Sequence, residues 1–369
     1  MSAVLVSHGF QPDYEAGFAN GLAKNGVAVT LVASDRTSYE RLSPGVTAIN
    51  LRGSQDRSRP AWKKAFNLGV YVVRLLGLLA RRRPVVHLCG LLLAGDAQLW
   101  PLECRIYRLL ARRLVLTVHN VVPHDRDSPA MREVLRKVYD IPHFLVVHTV
   151  RARQRLIDEF GVASQRIIVM EHGLDEPVQL SAAVNEAIRR ELQVGDDGRL
   201  IVFFGMVTPY KGVDLLIEAA RQLGSGCRVH IAGSCADTRY RDQLLSMLAQ
   251  HPLGDAISWE NAFVPTERAC ALLGAADVLV MPYRHIDQSG VLFAALRYGV
   301  PVVAFDVGSL RDYLLEGAGR VVPAGDLAAL AAAMEQVPPA REVRTQIQQL
   351  AEAFLWHKTV RPVLPCYRA

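Results

Sequence analysis

The sequence predicts two doubly wound α/β domains, each a parallel sheet with helices on both faces, set opposite one another across a cleft. Three observations predict it. Short continuous Val/Ile/Leu runs, typical of strands covered on both faces, alternate with longer amphipathic segments along almost the whole chain. These runs fall into two series, separated by the polar stretch Asp175–Asp197. The length of 369 residues exceeds one ordinary core and suits two domains of roughly 150–200 residues.

The first series places strands at Val4–Ser7, Val27–Ala33, Val85–Leu88, Leu114–His119, Phe144–His148 and Ile167–Glu171. The second places them at Leu200–Phe204, Arg228–Ala232, Ile257–Glu260, Val278–Met281, Val302–Phe305 and Arg320–Val322. Helical periodicity fills the intervals, as in Asp214–Gln222, Arg239–Ala249 and Leu327–Glu335. The expected organisation is a Rossmann-like domain over residues 1–178, a second over 179–350, and a tail over 351–369. The halves repeat an architecture and not a sequence.

Half of the residues are hydrophobic and 21% are charged, which excludes a disordered chain, a coiled coil and a small disulfide scaffold. Six scattered cysteines form no CxxC pair, which argues for a reducing compartment and against a zinc site. Cys227 and Cys235, with only His230 nearby, read as small buried hydrophobes. Neither a basic segment nor a cleavage site marks the first residues, so no secretory signal is expected. The longest apolar stretch, Ala65 to Ala80, is broken by Arg74 and falls short of the ~20 residues of a spanning helix.

The net charge of +6 is unevenly placed. Residues 1–180 hold 24 Lys/Arg against 16 Asp/Glu, a net +8, whereas residues 181–369 hold 18 against 20, a net −2. Basic residues from Arg52 to Arg113 alternate with Trp62, Phe66, Tyr71 and many leucines. That pattern suits either an anionic membrane surface or an ordinary solvated helix face. No helix-turn-helix, zinc finger or aromatic sheet motif points to nucleic acid. A cytoplasmic protein is the expectation, with peripheral attachment to the inner face of the plasma membrane as one alternative and the oligomeric state open.

A dinucleotide cofactor is the first idea for such a fold, but neither His8-Gly9-Phe10-Gln11-Pro12-Asp13 nor Gly205-Met206-Val207-Thr208 supplies G-x-G-x-x-G. Two strand exits in the second half are informative in another way. After Phe203-Phe204 the chain passes Gly205, turns at Pro209 and reaches Lys211 just before a helix. A lysine at that already positive helix end is electrostatically misplaced unless it meets an anion. After Met281, a polar loop leads to Ser289-Gly290 and a helix that Gly299 caps, and Arg284 and His285 in that loop add cationic or donor groups aimed at the helix start. Ser289 is a natural N-cap, and the amides of Gly290, Val291 and Leu292 would form an anion cradle suited to a diphosphate. A plain surface lysine and a plain capped helix are the alternatives.

These segments give the chain its likeness to a known family. It resembles the retaining glycosyltransferases of family 4, with the GT-B fold. The likeness is strongest in Gly205–Ile217, in Ala275-Ala276-Asp277, and from Ser289 through Pro301-Val302-Val303-Ala304-Phe305-Asp306-Val307-Gly308. Weaker echoes are Val118-His119-Asn120, Glu171-His172-Gly173-Leu174-Asp175 and Phe354-Leu355-Trp356. The resemblance implies a second domain that binds a UDP- or GDP-linked sugar, with Lys211 and the Gly290–Leu292 amides on the diphosphate. It implies Asn261-Ala262-Phe263-Val264 on the base, an acceptor (glycan or lipid-linked) on the first domain, and His119 facing the transferred hexose. It implies a last helix that returns to the first domain, with Trp356 near the hinge.

The sequence departs from the family pattern at known points. The family's two glutamates, eight positions apart, are here Ile286 and Ala294; its arginine after the first glycine is Met206; its glycine pair is Tyr14-Glu15-Ala16-Gly17. Asp287 stands one residue from the first missing carboxylate and is expected to take part of its role. Ser289 with Gln288 defines a Gln-Ser-Gly-Val-Leu branch. Transfer by the family proceeds on one face of the sugar, the departing diphosphate helping to remove the acceptor proton. Positioned amides and Lys211 can stabilise that leaving group, and no Asp-x-Asp metal motif is present, so neither a metal nor a cofactor is expected. A catalytically silent partner protein, and an epimerase or phosphorylase on the same fold, are the competing readings. His124, Asp125 and Asp127 read as an acceptor or solvated loop, with metal ligation the alternative. Asp13 and Glu15 are base candidates only for an inverting enzyme.

Overall fold

The computed structural model describes residues 1–369 except 57, 93–96, 124–126, 179–180, 287–288, 315 and 369, and of Arg82 the backbone alone. The chain forms two compact units, Met1–Asp175 with Phe354–Ala369, and Glu176–Ala353.

The first unit carries seven strands: β1 (Ser2–Val6), β2 (Ala28–Ala33), β3 (Val46–Asn50), β4 (Val85–Leu88), β5 (Arg113–Thr117), β6 (Phe144–Val147) and β7 (Ile167–Val169). All pair in parallel, in the order β3-β2-β1-β4-β5-β6-β7. Side chains alternate between two cores as strand geometry requires. Val4 and Val6 join Tyr71, Leu75 and Leu79 on one face. Ala3 and Leu5 join Phe18, Leu22 and Val360 on the other. Burying each such leucine or valine contributes about 1.5–3 kcal/mol.

β3 is a strand that the sequence reading missed. It lies at the sheet edge, and its Val-Thr-Ala-Ile-Asn run has no fully buried position. Half-wet edges do not read as continuous apolar runs. β5 ends at Thr117, so His119 lies beyond the strand that was expected to contain it.

The second unit carries β8 (Arg199–Phe204), β9 (Cys227–Ala232), β10 (Ile257–Glu260), β11 (Val278–Met281), β12 (Val302–Phe305) and β13 (Gly319–Val322). These also pair in parallel, in the order β10-β9-β8-β11-β12-β13. Both sheets therefore have the doubly wound order in which chain direction across the sheet reverses beside the first strand. In the second unit that reversal falls between β8 and β11. The loops leaving those two strands diverge and leave a crevice at their carboxyl ends. Helix starts obey local rules: Thr149, Asp237 and Asp326 each accept a hydrogen bond from the backbone N–H three residues on.

The last residues complete the first unit. Leu355 bridges Leu174 in parallel, with Leu174 N–H donating to Phe354 O (2.8 Å) and Trp356 N–H to Leu174 O (3.1 Å). Trp356, Val363 and Tyr367 are buried in the same core as Phe18, and the Tyr367 hydroxyl pairs with His87 Nδ1 at 2.5 Å. All six cysteines are free thiols, and burial raises that of Cys366 to about 11.

Candidate functional site

Three strand exits of the second unit are stitched together by backbone bonds. Gly205 N–H donates to Ala232 O (3.0 Å), Val207 N–H to Ser234 O (2.9 Å) and Gly233 N–H to Glu260 O (3.0 Å). Gly205 and Gly233 both have positive φ, at 117° and 154°. A Cβ placed on Gly233 would stand 2.0 Å from the Gly205 carbonyl oxygen, so only a glycine fits there. The sequence reading missed Gly233; its signal was the Ala-Gly-Ser step at the end of β9.

Lys211 ends a single turn, Pro209–Lys211, that precedes the Val213–Ala220 helix. Its ammonium is folded back toward the β8 exit: Nζ lies 3.0 Å from where a Gly205 Cβ would be, and Val291 Cγ2 is 3.6 Å from the same point. Gly205, Lys211 and Val291, predicted separately, thus surround one small volume at the β8–β11 crevice. Lys211 is buried, and among the described residues no carboxylate pairs with it. Its ammonium lies 5.7 Å from the centre of the buried Tyr283 ring, a cation–π contact. Burial pushes the ammonium down to about 8.

Ser289 caps the Gly290–Tyr298 helix, as expected, but the cap changes the cradle. Val291 N–H donates to Ser289 Oγ (3.3 Å) and Leu292 N–H to Ser289 O (3.2 Å). Three bare amides were expected; two are already used. At Gly290 an added Cβ would meet nothing within 4 Å, so the helix start is open on that side. The caps are long neutral bonds, and an anion accepts charge-assisted bonds roughly twice as strong. A rotation of the Ser289 hydroxyl would release Val291 to such a ligand.

Arg284, aimed at the ligand in the sequence reading, is engaged elsewhere. Its guanidinium donates to Asp214 Oδ1 (2.9 Å), Asp214 Oδ2 (2.6 Å) and Pro209 O (2.6 Å), and its backbone N–H donates to Tyr210 O (2.7 Å). Burial alone would raise the Asp214 carboxyl; hydrogen bonds from Arg284 and Tyr240 overcome it and hold the group below the usual range. Arg284 therefore clamps the turn that carries Lys211. Ile286 and Ala294 stand where glutamates were sought, the first buried and the second half-buried. Asp287 and Gln288 lie outside the described residues.

The segment expected to hold a base leaves β10 at the sheet edge. Asn261 Oδ1 accepts from Cys235 N–H (3.0 Å), tying this exit to the loop after β9. Phe263 is 83% exposed and Val264 half-buried, an aromatic face standing free beside an anchored turn.

His119 belongs to the first unit, at the exit of β5. Its Nε2 donates to Cys89 O at 3.0 Å, which leaves Nδ1 as an acceptor. Burial lowers the imidazole to about 4, so it is neutral at physiological pH. Its ring meets Tyr14 edge-on at 4.9 Å, and His148, His172 and Trp356 lie 5.1–5.6 Å from the same tyrosine. Spacing along the chain offered no signal for this ring cluster. Glu15 is fully buried and accepts from Ser7 Oγ and Thr37 Oγ1, an interior carboxyl and not an accessible base. His124 and Asp125 lie outside the described residues, while Asp127 is bound by Arg132. Among the described residues no three His, Cys, Asp or Glu side chains could hold a metal ion.

Known proteins resemble each half. Residues 16–176 match Glycosyltransferase Family 4, and residues 198–337 match Glycosyl transferases group 1. A D-inositol 3-phosphate glycosyltransferase from Geodermatophilus obscurus is 29% identical over 96% of this chain and 84% of its own. A 2-deoxystreptamine glucosyltransferase from Streptomyces kanamyceticus is 28% identical over 74% of this chain and 75% of its own. Among solved structures, HepE from Anabaena in complex with UDP superposes with a TM-score of 0.72 at 15% identity, covering 99% of this chain and 98% of that one. Sucrose-phosphate synthase from Thermosynechococcus elongatus gives 0.71 at 18%, covering 100% and 98%. These likenesses show the fold, the two-domain GT-B architecture.

Proposed function

From the premise that the chain is a glycosyltransferase of the family 4 type, we propose that it moves a hexosyl group with retention from a UDP- or GDP-linked sugar to a glycan or lipid-linked acceptor. One observation carries the donor assignment: the buried Lys211 ammonium, with no carboxylate partner among the described residues, beside Gly205 and the open start of the Gly290–Tyr298 helix. A buried cation without a counter-charge is costly, and a bound diphosphate removes that cost. Neighbours of the same fold were solved with UDP, which supports a nucleotide donor.

Each group has a role in the transfer. The diphosphate lies against Lys211 and the Gly290 amide, joined by Val291 once the Ser289 hydroxyl turns away. These donors stabilise the charge that grows on the leaving diphosphate as the glycosidic bond to it breaks. A diphosphate oxygen takes the acceptor proton on the same face, so the reading requires no carboxylate base, and no metal is invoked. The Phe263 ring stacks on the base, with Val264 beside it. In the first unit, the His119 Nδ1 lone pair accepts from a sugar hydroxyl.

A catalytically silent protein of the same fold is the second reading. It is favoured by Ile286 and Ala294, and by the amides that Ser289 already occupies. Calorimetry of the full chain against UDP, GDP and their sugars separates the two. Saturable binding that Lys211→Ala weakens supports the donor site, whereas no binding to any of them overturns it.

A further inference from the structure

The Ala61–Arg82 helix of the first unit is buried along one side only, where Tyr71, Leu75 and Leu79 enter the core. Its opposite side is apolar and bare. Trp62, Phe66 and Val73 are 68%, 67% and 71% exposed. Gly69, Gly77 and Ala80 are exposed on the same line, and a Cβ on either glycine would meet nothing within 4 Å. Positions 62, 66, 69, 73, 77 and 80 step by three and four, so they form one stripe about 27 Å long. Lys63, Arg74 and Arg81 fall together roughly 80–100° around the helix from the middle of that stripe, by the rotation of about 100° per residue. All three are exposed, the helix contains no acidic residue, and among the described residues none of the three has an ion-pair partner.

The neighbouring Trp100–Leu110 helix repeats the arrangement. Leu102, Ile106 and Leu109 are exposed at spacings of four and three, beside exposed Arg105 and Arg108. Two adjacent helices therefore present bare hydrocarbon flanked by cations alone. A second copy of this chain, docked on the same face about a two-fold axis, would bring like charges together. A nucleic acid would leave the Trp, Phe and Val side chains without an apolar partner. An anionic bilayer satisfies both: acyl chains take the stripe and lipid phosphates meet the flanking cations. Neither helix is long and apolar enough to cross a membrane.

We propose that Trp62, Phe66 and Val73, flanked by Lys63, Arg74 and Arg81, dock the first unit on an anionic lipid surface with the Ala61–Arg82 helix lying in the membrane plane. This inference rests on the first unit's surface and not on the donor reading. It is tested by flotation of the full chain with vesicles of phosphatidylcholine alone, and with an equimolar mixture of phosphatidylcholine and phosphatidylglycerol. The chain is expected to float with the mixture and not with the neutral lipid. Lys63→Gln, Arg74→Gln and Arg81→Gln together should lower the partition coefficient roughly a hundred-fold. Trp62→Ser with Phe66→Ser should abolish flotation, while nucleotide calorimetry stays unchanged. No flotation with anionic vesicles, equal flotation with neutral ones, or variants that float like the wild type would overturn it. A dimer in sedimentation velocity that Trp62→Ser dissociates would also overturn it, in favour of a second copy.

Discussion

The indole of Trp356 lies directly on the backbone of Gly17, so that a methyl group at Gly17 would stand 2.0 Å from the indole nitrogen. Gly173 presses on the same ring from its own side, its hypothetical Cβ 2.2 Å from Cε3. The tryptophan that ends the chain's journey back to the first unit is thus seated between two residues without side chains.

Gly17→Ala should therefore displace the indole and cost roughly 3 kcal/mol or more, since overpacking a tight core typically costs 1–3 kcal/mol and here the contact is far inside van der Waals range. Trp356→Ala should cost about 3–5 kcal/mol. Combined, the two should cost little more than Trp356→Ala alone, because the clash has gone. Urea denaturation of the four proteins measures this cycle, and strict additivity would refute the seating.

Lys211→Ala should lower transfer by about 10²–10³-fold, the usual loss when one donor to a developing anion is removed. The wild type carries a further signature. Its ammonium titrates at about 8 in the unliganded protein, so the charged form that holds a diphosphate declines as pH rises through that value. Nucleotide affinity should weaken across this window and be flat in the alanine variant. Calorimetry on both sides of the window decides; identical slopes would remove Lys211 from the site.

Arg284 and Asp214 act as one clamp, which makes a symmetrical prediction. If the guanidinium serves only to hold the Pro209–Lys211 turn, Arg284→Ala and Asp214→Ala should weaken nucleotide binding by equal factors, and the double variant by no more than either. A loss confined to Arg284→Ala would return this residue to direct ligand contact. Arg284→Lys should not rescue, because an ammonium cannot reproduce the two-pronged contact.

Glu15 makes stability depend on pH. Burial raises its carboxyl from the ordinary 4.5 to about 7, opposed by the Thr37 hydroxyl and aided by Asp13. Below 4.5 both folded and unfolded chains keep the proton and the full stability is present. Between 4.5 and about 7 the unfolded chain releases it first, so stability falls as pH rises and this contribution is lost beyond the folded value. Glu15→Gln should flatten that part of the profile in thermal melts across the window. An unchanged slope would mean that another group is responsible.

The fold was legible because strands covered on both faces are continuous apolar runs, which announce themselves more cleanly than the helical intervals between them. β3 escaped because an edge strand need not be apolar. Lys211 and Gly205 were legible because a lysine at a helix start is electrostatically odd wherever it occurs. Arg284 was misdirected because its partner lies 70 positions earlier, and no local pattern links them. Ser289 was read as a cap and its helix as a source of bare amides, yet a serine that caps necessarily occupies the amides it satisfies. Gly233 escaped because a lone glycine at a strand end has no period, and its necessity comes from the carbonyl of another strand.

The two units differ in how their chain is laid out: Glu176–Ala353 is unbroken, whereas the other unit needs residues from both ends of the sequence. On a translating ribosome, the unbroken unit has all of its residues once position 353 has emerged. The first-made unit must wait, its groove between Gly17 and Gly173 unfilled until the final sixteen residues arrive. Biogenesis then runs against the order of synthesis, and a chaperone would find its client surface on the part of the protein that was made first.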